Sequence, residues 1–510
     1  MTLCPGTDLA INRVTPRTGP LLLRLCLLAV VVSALVNPGN FGTIDTVFRL
    51  QVSRWIRLGE PPVTGGPGIT GRSGRRAPGY GIGQSLVLLP FDGIASALLS
   101  PVLERAGLDA QKQLQGVEAL IAFLMQSFLT IGVVVLAYQL LQSFGFASLV
   151  SAAGSLGLLF GTTCLQYVQC AQENLLLLLL ALASLWAVRR WVREGGMIWC
   201  VAAGAASGFA ILVRLTSSID AVVIALLAVG WGGNWKRFLA GFLPPLMVAG
   251  LCDRWYHWYW FGEVFSTYVG VASRQLRPQG APESFPFSYP FWKGFWGTLF
   301  SPDKSILLFD PLLVMLLAIA LRRWRSIHRE VRLLLFGLAL MYILYSSFYA
   351  KFEFFGGDVA WGHRYVTIPV HLLCLLAVPL LMQEKALSAP FRRLAWAALG
   401  ISVVLQAAST TISPQMEIYQ KRMGYGKVVI LNRAVNLTQM TLAKEDDGRT
   451  KGIPIEWRSL NYLPFQLRFR FLPWARWAIG GWLLLLLGLP LIVWSTLATA
   501  KQRDRAAQSG

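Results

Sequence analysis

A small set of polar side chains in this sequence falls just beyond long apolar runs. Asp45 is the first acid to follow such a run. Later come Gln169, Gln172, Glu173 and Asn174; Arg214; Asp253, Arg254 and His257; Asp303 and Lys304; and Lys351, Glu353, Asp358, His363 and Arg364. Ionisable groups beside hydrocarbon are costly and mark functional positions by default. A carboxylate can act as a base, and a guanidinium has a fork that matches phosphate oxygens. Drawn from many loops to one face, such groups would build a reaction site at a membrane surface. The plainer reading of each is a helix cap at headgroup level. For Asp45 the two readings are compatible, because an Asp at a helix start accepts the free N–H groups there and can still react.

The elements that must position these groups are transmembrane helices. Of 510 residues, 55% are hydrophobic and 14% charged, with a mean hydropathy of +0.53. Soluble domains carry roughly 25% charged residues, so a water-facing globule is excluded. The net charge of +21 does not point to nucleic acid, because Lys and Arg are dispersed between apolar runs. Basic residues held on the cytoplasmic side of short loops account for it. The seven cysteines show no metal-like spacing. They read as small core residues; Cys164 and Cys170 flank a short outer loop but are expected to stay unpaired. The first apolar run is expected to remain as a span and not to be cleaved, since no small-residue site follows it and further spans come at once.

Apolar runs recur from Leu21 to Thr499. Spans are expected near residues 21–37, 116–142, 147–165, 174–192, 197–216, 218–233, 238–260, 305–321, 332–350, 365–382, 394–412 and 474–498. Threaded so, every short basic cluster falls on one side: Arg13, Arg17 and Arg24; Arg189, Arg190 and Arg193; Lys236 and Arg237; Arg322, Arg323, Arg325 and Arg329; Lys385, Arg392 and Arg393; Lys501, Arg503 and Arg505. The chain is therefore expected to be an all-α integral protein of the inner membrane, with about 12 transmembrane helices and both termini cytoplasmic. Residues 1–412 form the core, with an outer loop 38–115. Residues 413–473 form an outer-face segment, and 474–510 the last span and tail.

The outer loop 38–115 carries its own helices. After Asp45, the side chains of Val47, Phe48, Val52, Trp55, Ile56 and Leu58 fall on one helix face and Arg49, Ser53 and Arg57 on the other. That pattern predicts an amphipathic helix lying in the interface plane. A Gly/Pro/Arg stretch from Glu60 to Gly79 reads as a mobile loop. Tyr80 to Leu99 turns apolar again. If that run crossed, every later basic cluster would fall outside, so it is expected to be a second outer helix, embedded but not crossing.

Four stretches in this order resemble the membrane glycosyltransferases of the GT-C superfamily, in particular the bacterial branch related to protein mannosyltransferases and the aminoarabinose transferase of lipid A. They are Gly42-Thr-Ile-Asp45-Thr-Val-Phe with Gly59 after it; Tyr80 to Phe91; Tyr167 to Asn174 with Gly208-Phe-Ala-Ile-Leu-Val-Arg214; and Ser301-Pro-Asp-Lys-Ser305 with Gly356 to Tyr365. The likeness covers most of residues 21–382. It implies inverting transfer of a sugar from a polyprenyl-phosphate or pyrophosphate lipid at the outer face, with Asp45 as the base. Arg214, Lys304 and Arg364 are then the expected phosphate partners, and Glu173, Glu353, Asp358 and His363 would position sugar or acceptor. Many relatives carry a second acid where Thr46 stands, so a divalent metal is possible but unsupported, and no cofactor is implied. His363 replaces a Pro common before Arg364, and Asp310 stands where a small or apolar residue is commoner. The implied partners are a lipid-linked sugar and membrane lipids. Competing readings are a transporter or flippase, a polysaccharide polymerase or ligase working through 413–473, and a non-catalytic scaffold.

Overall fold

The computed structural model describes residues 19–59, 69–74, 76–77, 79–232, 234–280, 282–354, 356–357, 360–383, 387–426, 428–442, 448–470 and 472–509. Arg13, Arg17, Asp358 and Lys385 lie outside the described residues.

Each segment read as a span folds as helix. The first is α1 (Gly19–Val36). The outer loop gives α2 (Ile44–Leu58) and α3 (Gly83–Arg105), and α4 (Ala110–Ser143) leads back. Then come α5 (Ser148–Gly161), the short α6 (Cys164–Gln169), α7 (Glu173–Glu194), α8 (Met197–Val213), α9 (Ser218–Gly230) and α10 (Trp235–Phe261). The next loop holds α11 (Tyr268–Leu276) and α12 (Phe291–Phe300). They are followed by α13 (Ile306–Phe309), α14 (Pro311–Arg323), α15 (Arg329–Tyr349), α16 (Thr367–Leu375), α17 (Ala377–Gln383) and α18 (Ala389–Ser409). The outer segment contains α19 (Pro414–Arg422), α20 (Val429–Leu442) and α21 (Leu463–Arg470), and α22 (Leu472–Ser509) ends the chain.

Among the described residues six helices are long and apolar enough to cross a membrane: α1, α3, α4, α7, α15 and residues Ala475–Ser509 of α22. Helices α5, α8, α9 and the α16–α17 pair are apolar but shorter. Leucines of α7 such as Leu178, Leu182 and Leu185 are fully buried where it packs between α4 and α8, so the centre of the bundle lies there.

Two expected spans are broken, for reasons visible in the sequence. Pro311 bars its predecessor from helical backbone, and Asp310 leaves the helix at φ −126° and ψ 70°. Its carboxylate accepts the Thr163 N–H at 2.6 Å and hydroxyl at 3.1 Å, and His371 meets the same hydroxyl at 2.8 Å. The acid at this unusual position therefore ties the break to the α5–α6 corner. Pro379 cannot donate to the 375 carbonyl, and the tenth segment divides into α16 and α17 there.

One expectation for residues 38–115 changes. Part of the Glu60–Gly79 stretch, read as mobile, is a two-stranded antiparallel ladder of β1 (Ile69–Thr70) and β2 (Arg76–Ala77). Arg72 N–H donates to the Trp260 carbonyl at 2.7 Å, which pins it to the end of α10. Helix α3 is long and apolar enough to cross, although the charge pattern reads it as an outer helix. It packs along α4, and its buried Asp92 binds Arg54 at 3.2 Å and Arg57 at 2.7 Å, so α2 is clipped to it.

The far end of the bundle from Glu173 is closed by charge. Arg189, near the last turn of α7, binds Glu330 at 2.7 Å and the Ser143 carbonyl at 3.0 Å. Asp504 caps α5 by accepting from Ser148 at 2.7 Å and Leu149 at 2.9 Å. Among the described residues Cys164 and Cys170 are free thiols, like the other cysteines there.

Candidate active site

Thr43, not Asp45, caps α2: its hydroxyl accepts the Asp45 N–H at 3.3 Å. The cap expected of Asp45 is therefore filled, and its carboxylate is released for other partners. Helix α2 is also oriented by its polar face. Thr46, Arg49 and Ser53 are buried, whereas Ile56 and Leu58 are exposed. Val52, on the apolar face, is buried as well, and Arg57, on the polar face, is exposed.

The Asp45 carboxylate accepts the Tyr80 hydroxyl at 2.7 Å and lies 3.3 Å from the Arg364 guanidinium. Both charged side chains are partly open, Arg364 20% and Asp45 15% exposed. Burial, then the neighbouring Asp45 carboxylate, push the Tyr80 phenol up from its ordinary value, so it stays a proton donor. Behind this pair lies a buried three-membered set. Glu173 binds Arg49 at 2.8 Å and Arg214 through its other oxygen. Arg49 also stacks over the Tyr80 ring at 4.5 Å. Arg214 and Arg364 lie over Tyr365 at 5.5 and 5.0 Å from its centroid, and Tyr365 stacks on Tyr349 at 4.2 Å. Three guanidiniums thus meet two carboxylates: the Asp45–Arg364 pair balances, and the excess positive charge lies behind it in the buried Arg49–Glu173–Arg214 set.

Backbone contacts bring these groups together. The Thr46 hydroxyl donates to the Ala171 carbonyl at 2.6 Å, and Gln84 donates to the same oxygen at 2.8 Å. Asn174 donates to the Arg364 carbonyl at 2.6 Å. Thr46 therefore serves α2 placement. Among the described residues no group of three His, Cys, Asp or Glu could hold a metal ion.

The remaining expected site residues lie elsewhere. The Lys304 ammonium donates to the carbonyls of Ala360 at 2.6 Å and Gly362 at 3.3 Å, so it binds the backbone of the Arg364 loop. That loop turns through Gly357 at φ +76° and Gly362 at φ +73°, a region that favours glycine. Glu353 accepts from Ser288 and its N–H donates to the Pro286 carbonyl at 2.7 Å, which straps the 286–288 turn to residue 353. His257 bonds the Glu263 carbonyl at 2.7 Å, and Asp253 pairs with Arg254, so these groups shape the turn after α10. Arg49, Tyr80 and Tyr365 were not assigned roles from the sequence. Arg49 could have been found, because it stands four residues after Asp45 on the same helix face.

His363 is 2% exposed. Burial, then the Lys304 ammonium, push its imidazole down to about 3 from 6.5. The unfolded chain binds a proton below its ordinary value that the folded chain refuses, so this group's effect is to lower stability as pH falls from 6.5 toward 3. Acidifying to pH 5 is expected to remove about 2 kcal/mol through this group, and His363→Gln to abolish that part of the loss. Thermal unfolding in detergent across pH checks it; parallel curves for the two proteins would refute it.

No family model and no curated protein sequence matches the chain. Three solved structures are similar to it. The apo oligosaccharyltransferase of Archaeoglobus fulgidus has a TM-score of 0.47 and 12% identity, over 85% of this chain and 59% of that one. ArnT from Cupriavidus metallidurans bound to undecaprenyl phosphate has 0.48 and 14%, over 96% and 75%. AglB from Archaeoglobus fulgidus, in complex with an inhibitory peptide and a dolichol-phosphate, has 0.44 and 12%, over 77% and 55%. The chain thus spans only about three-fifths of the oligosaccharyltransferase's length.

Proposed function

We propose that the chain transfers a sugar from a polyprenyl-phosphate or pyrophosphate lipid to an acceptor hydroxyl at the outer face of the inner membrane. The observation that carries this reading is the contact of a partly open carboxylate, Asp45, with a partly open guanidinium, Arg364, in a cluster holding one excess positive charge. In the proposed step the acceptor O–H gives its proton to Asp45 while its oxygen bonds the anomeric carbon. The bond from that carbon to the phosphate oxygen breaks, and its electron pair leaves with the phosphate, so configuration inverts. Arg364 stabilises the departing charge, and Arg214 and Arg49, fixed by Glu173, supply the positive field behind it. An in-plane α2 lets the lipid stay in the bilayer while its headgroup reacts.

A panel of polyprenyl-phosphate sugars offered to the purified protein tests the reading. Arg364→Ala is expected to raise KM for the donor about 10- to 100-fold, the worth of a charge-assisted hydrogen bond. Absence of transfer from every donor, together with no binding of undecaprenyl phosphate, would reject it.

A further inference from the structure

The outer segment reaches the Arg364 loop through a buried arginine. Arg433, on α20, is 3% exposed. Its Nε and Nη2 bind both oxygens of Glu417, the second at 2.6 Å. Its Nη1 donates to the Ala408 carbonyl at 3.0 Å and to the Ser409 carbonyl. With its edges so occupied, its flat face lies over the Trp361 ring, 4.7 Å from the centroid. Trp361 is 4% exposed, meets Phe309 edge-on at 5.0 Å, and stands three residues before Arg364. Its indole N–H has no hydrogen-bond partner among the described residues, so the ring is held by its faces. The carbonyls on either side of Trp361 are those that Lys304 binds. Two buried cations therefore fix the loop at different groups, Lys304 at the backbone and Arg433 at the ring.

Simple packing of the outer segment over the bundle would need only apolar contact. A charge taken out of water is costly unless every donor is met, and a desolvated guanidinium gains most from a ring face. Arg433 satisfies both conditions, and its stacking contact falls on the loop that carries Arg364. We propose that Arg433 and Trp361 are positioning residues: the outer segment sets Arg364 against Asp45 by gripping the loop at Trp361. The inference rests on reading Arg364 as a donor-phosphate partner.

Arg433→Leu would leave the Glu417 carboxylate uncompensated and unfold the segment, so the ring is the position to change. Trp361→Leu and Trp361→Phe are made alone and with Arg364→Ala. Two quantities are measured in the full-length protein in detergent: affinity for undecaprenyl phosphate, and the alkylation rate of a cysteine placed at Ala360 in a Cys252→Ser background. Trp361→Leu is expected to speed alkylation and weaken binding about tenfold, the worth of a desolvated cation–π contact. Trp361→Phe keeps a face for the guanidinium and is expected to restore most of both. Combined with Arg364→Ala, Trp361→Leu should add no further loss of binding. Losses that multiply in the double variant, or alkylation that does not change, overturn the inference. If the parent and Arg364→Ala bind undecaprenyl phosphate equally, the donor reading fails instead, and alkylation alone then judges the grip.

Discussion

Asp45→Asn is expected to lower sugar transfer about 100- to 10,000-fold, the range over which a positioned general base acts. The substitution keeps the size of the side chain and an oxygen to accept the Tyr80 hydroxyl. It removes the lone pair that would take the acceptor proton. Because Thr43 rather than Asp45 caps α2, the helix loses no cap, and thermal unfolding should stay close to that of the parent. Undecaprenyl phosphate should still bind, since the excess positive charge beside Arg364 rises. The expected result is thus a loss in kcat with the donor affinity kept or improved. Full activity in this variant would remove the proposed base.

Glu173→Gln is expected to be the most destabilising single change at the site, by about 3–5 kcal/mol, as for any buried ion pair stripped of one partner. Arg49, Glu173 and Arg214 have side chains at most 8% exposed, so water cannot take over the lost charge. The two guanidiniums would also repel one another across a neutral amide. Combining Glu173→Gln with Arg49→Met should recover part of the loss, because one of the two stranded charges is then gone. Unfolding temperature in detergent measures both variants. An unchanged midpoint for Glu173→Gln would mean that the set is hydrated and does not hold the arginines.

This division of labour concerns two acids, Asp45, expected as the base, and Glu173, expected to position sugar or acceptor. Glu173 is buried and neutralised, and its service is to fix Arg49 and Arg214. Asp45 is partly open and shares Arg364, so it remains free to act. Lys304 changes role in the same way. It is positive and next to the loop as expected, but its ammonium is used on the carbonyls of Ala360 and Gly362.

The sequence by itself determined the helices and which face of α2 is polar. Hydropathy and periodicity are properties of neighbours along the chain, and the cost of an unpaired backbone in lipid turns every long apolar run into a helix. Pro311 and Pro379 stand at the breaks of their spans, whereas Pro90, Pro101, Pro244, Pro245 and Pro490 lie inside continuous helices, so proline position alone did not decide where a span breaks. Only the tertiary structure decided which charge meets which. Arg49 and Glu173 are 124 residues apart, and Arg364 and Asp45 are 319 apart. No local average carries the partner of a side chain whose neighbours come from another loop. The cap of α2 belongs with these, because Thr43 and Asp45 are both good caps by type. The pull of Tyr80 and Arg364, brought in by distant segments, accounts for the one whose oxygens turn away from the helix.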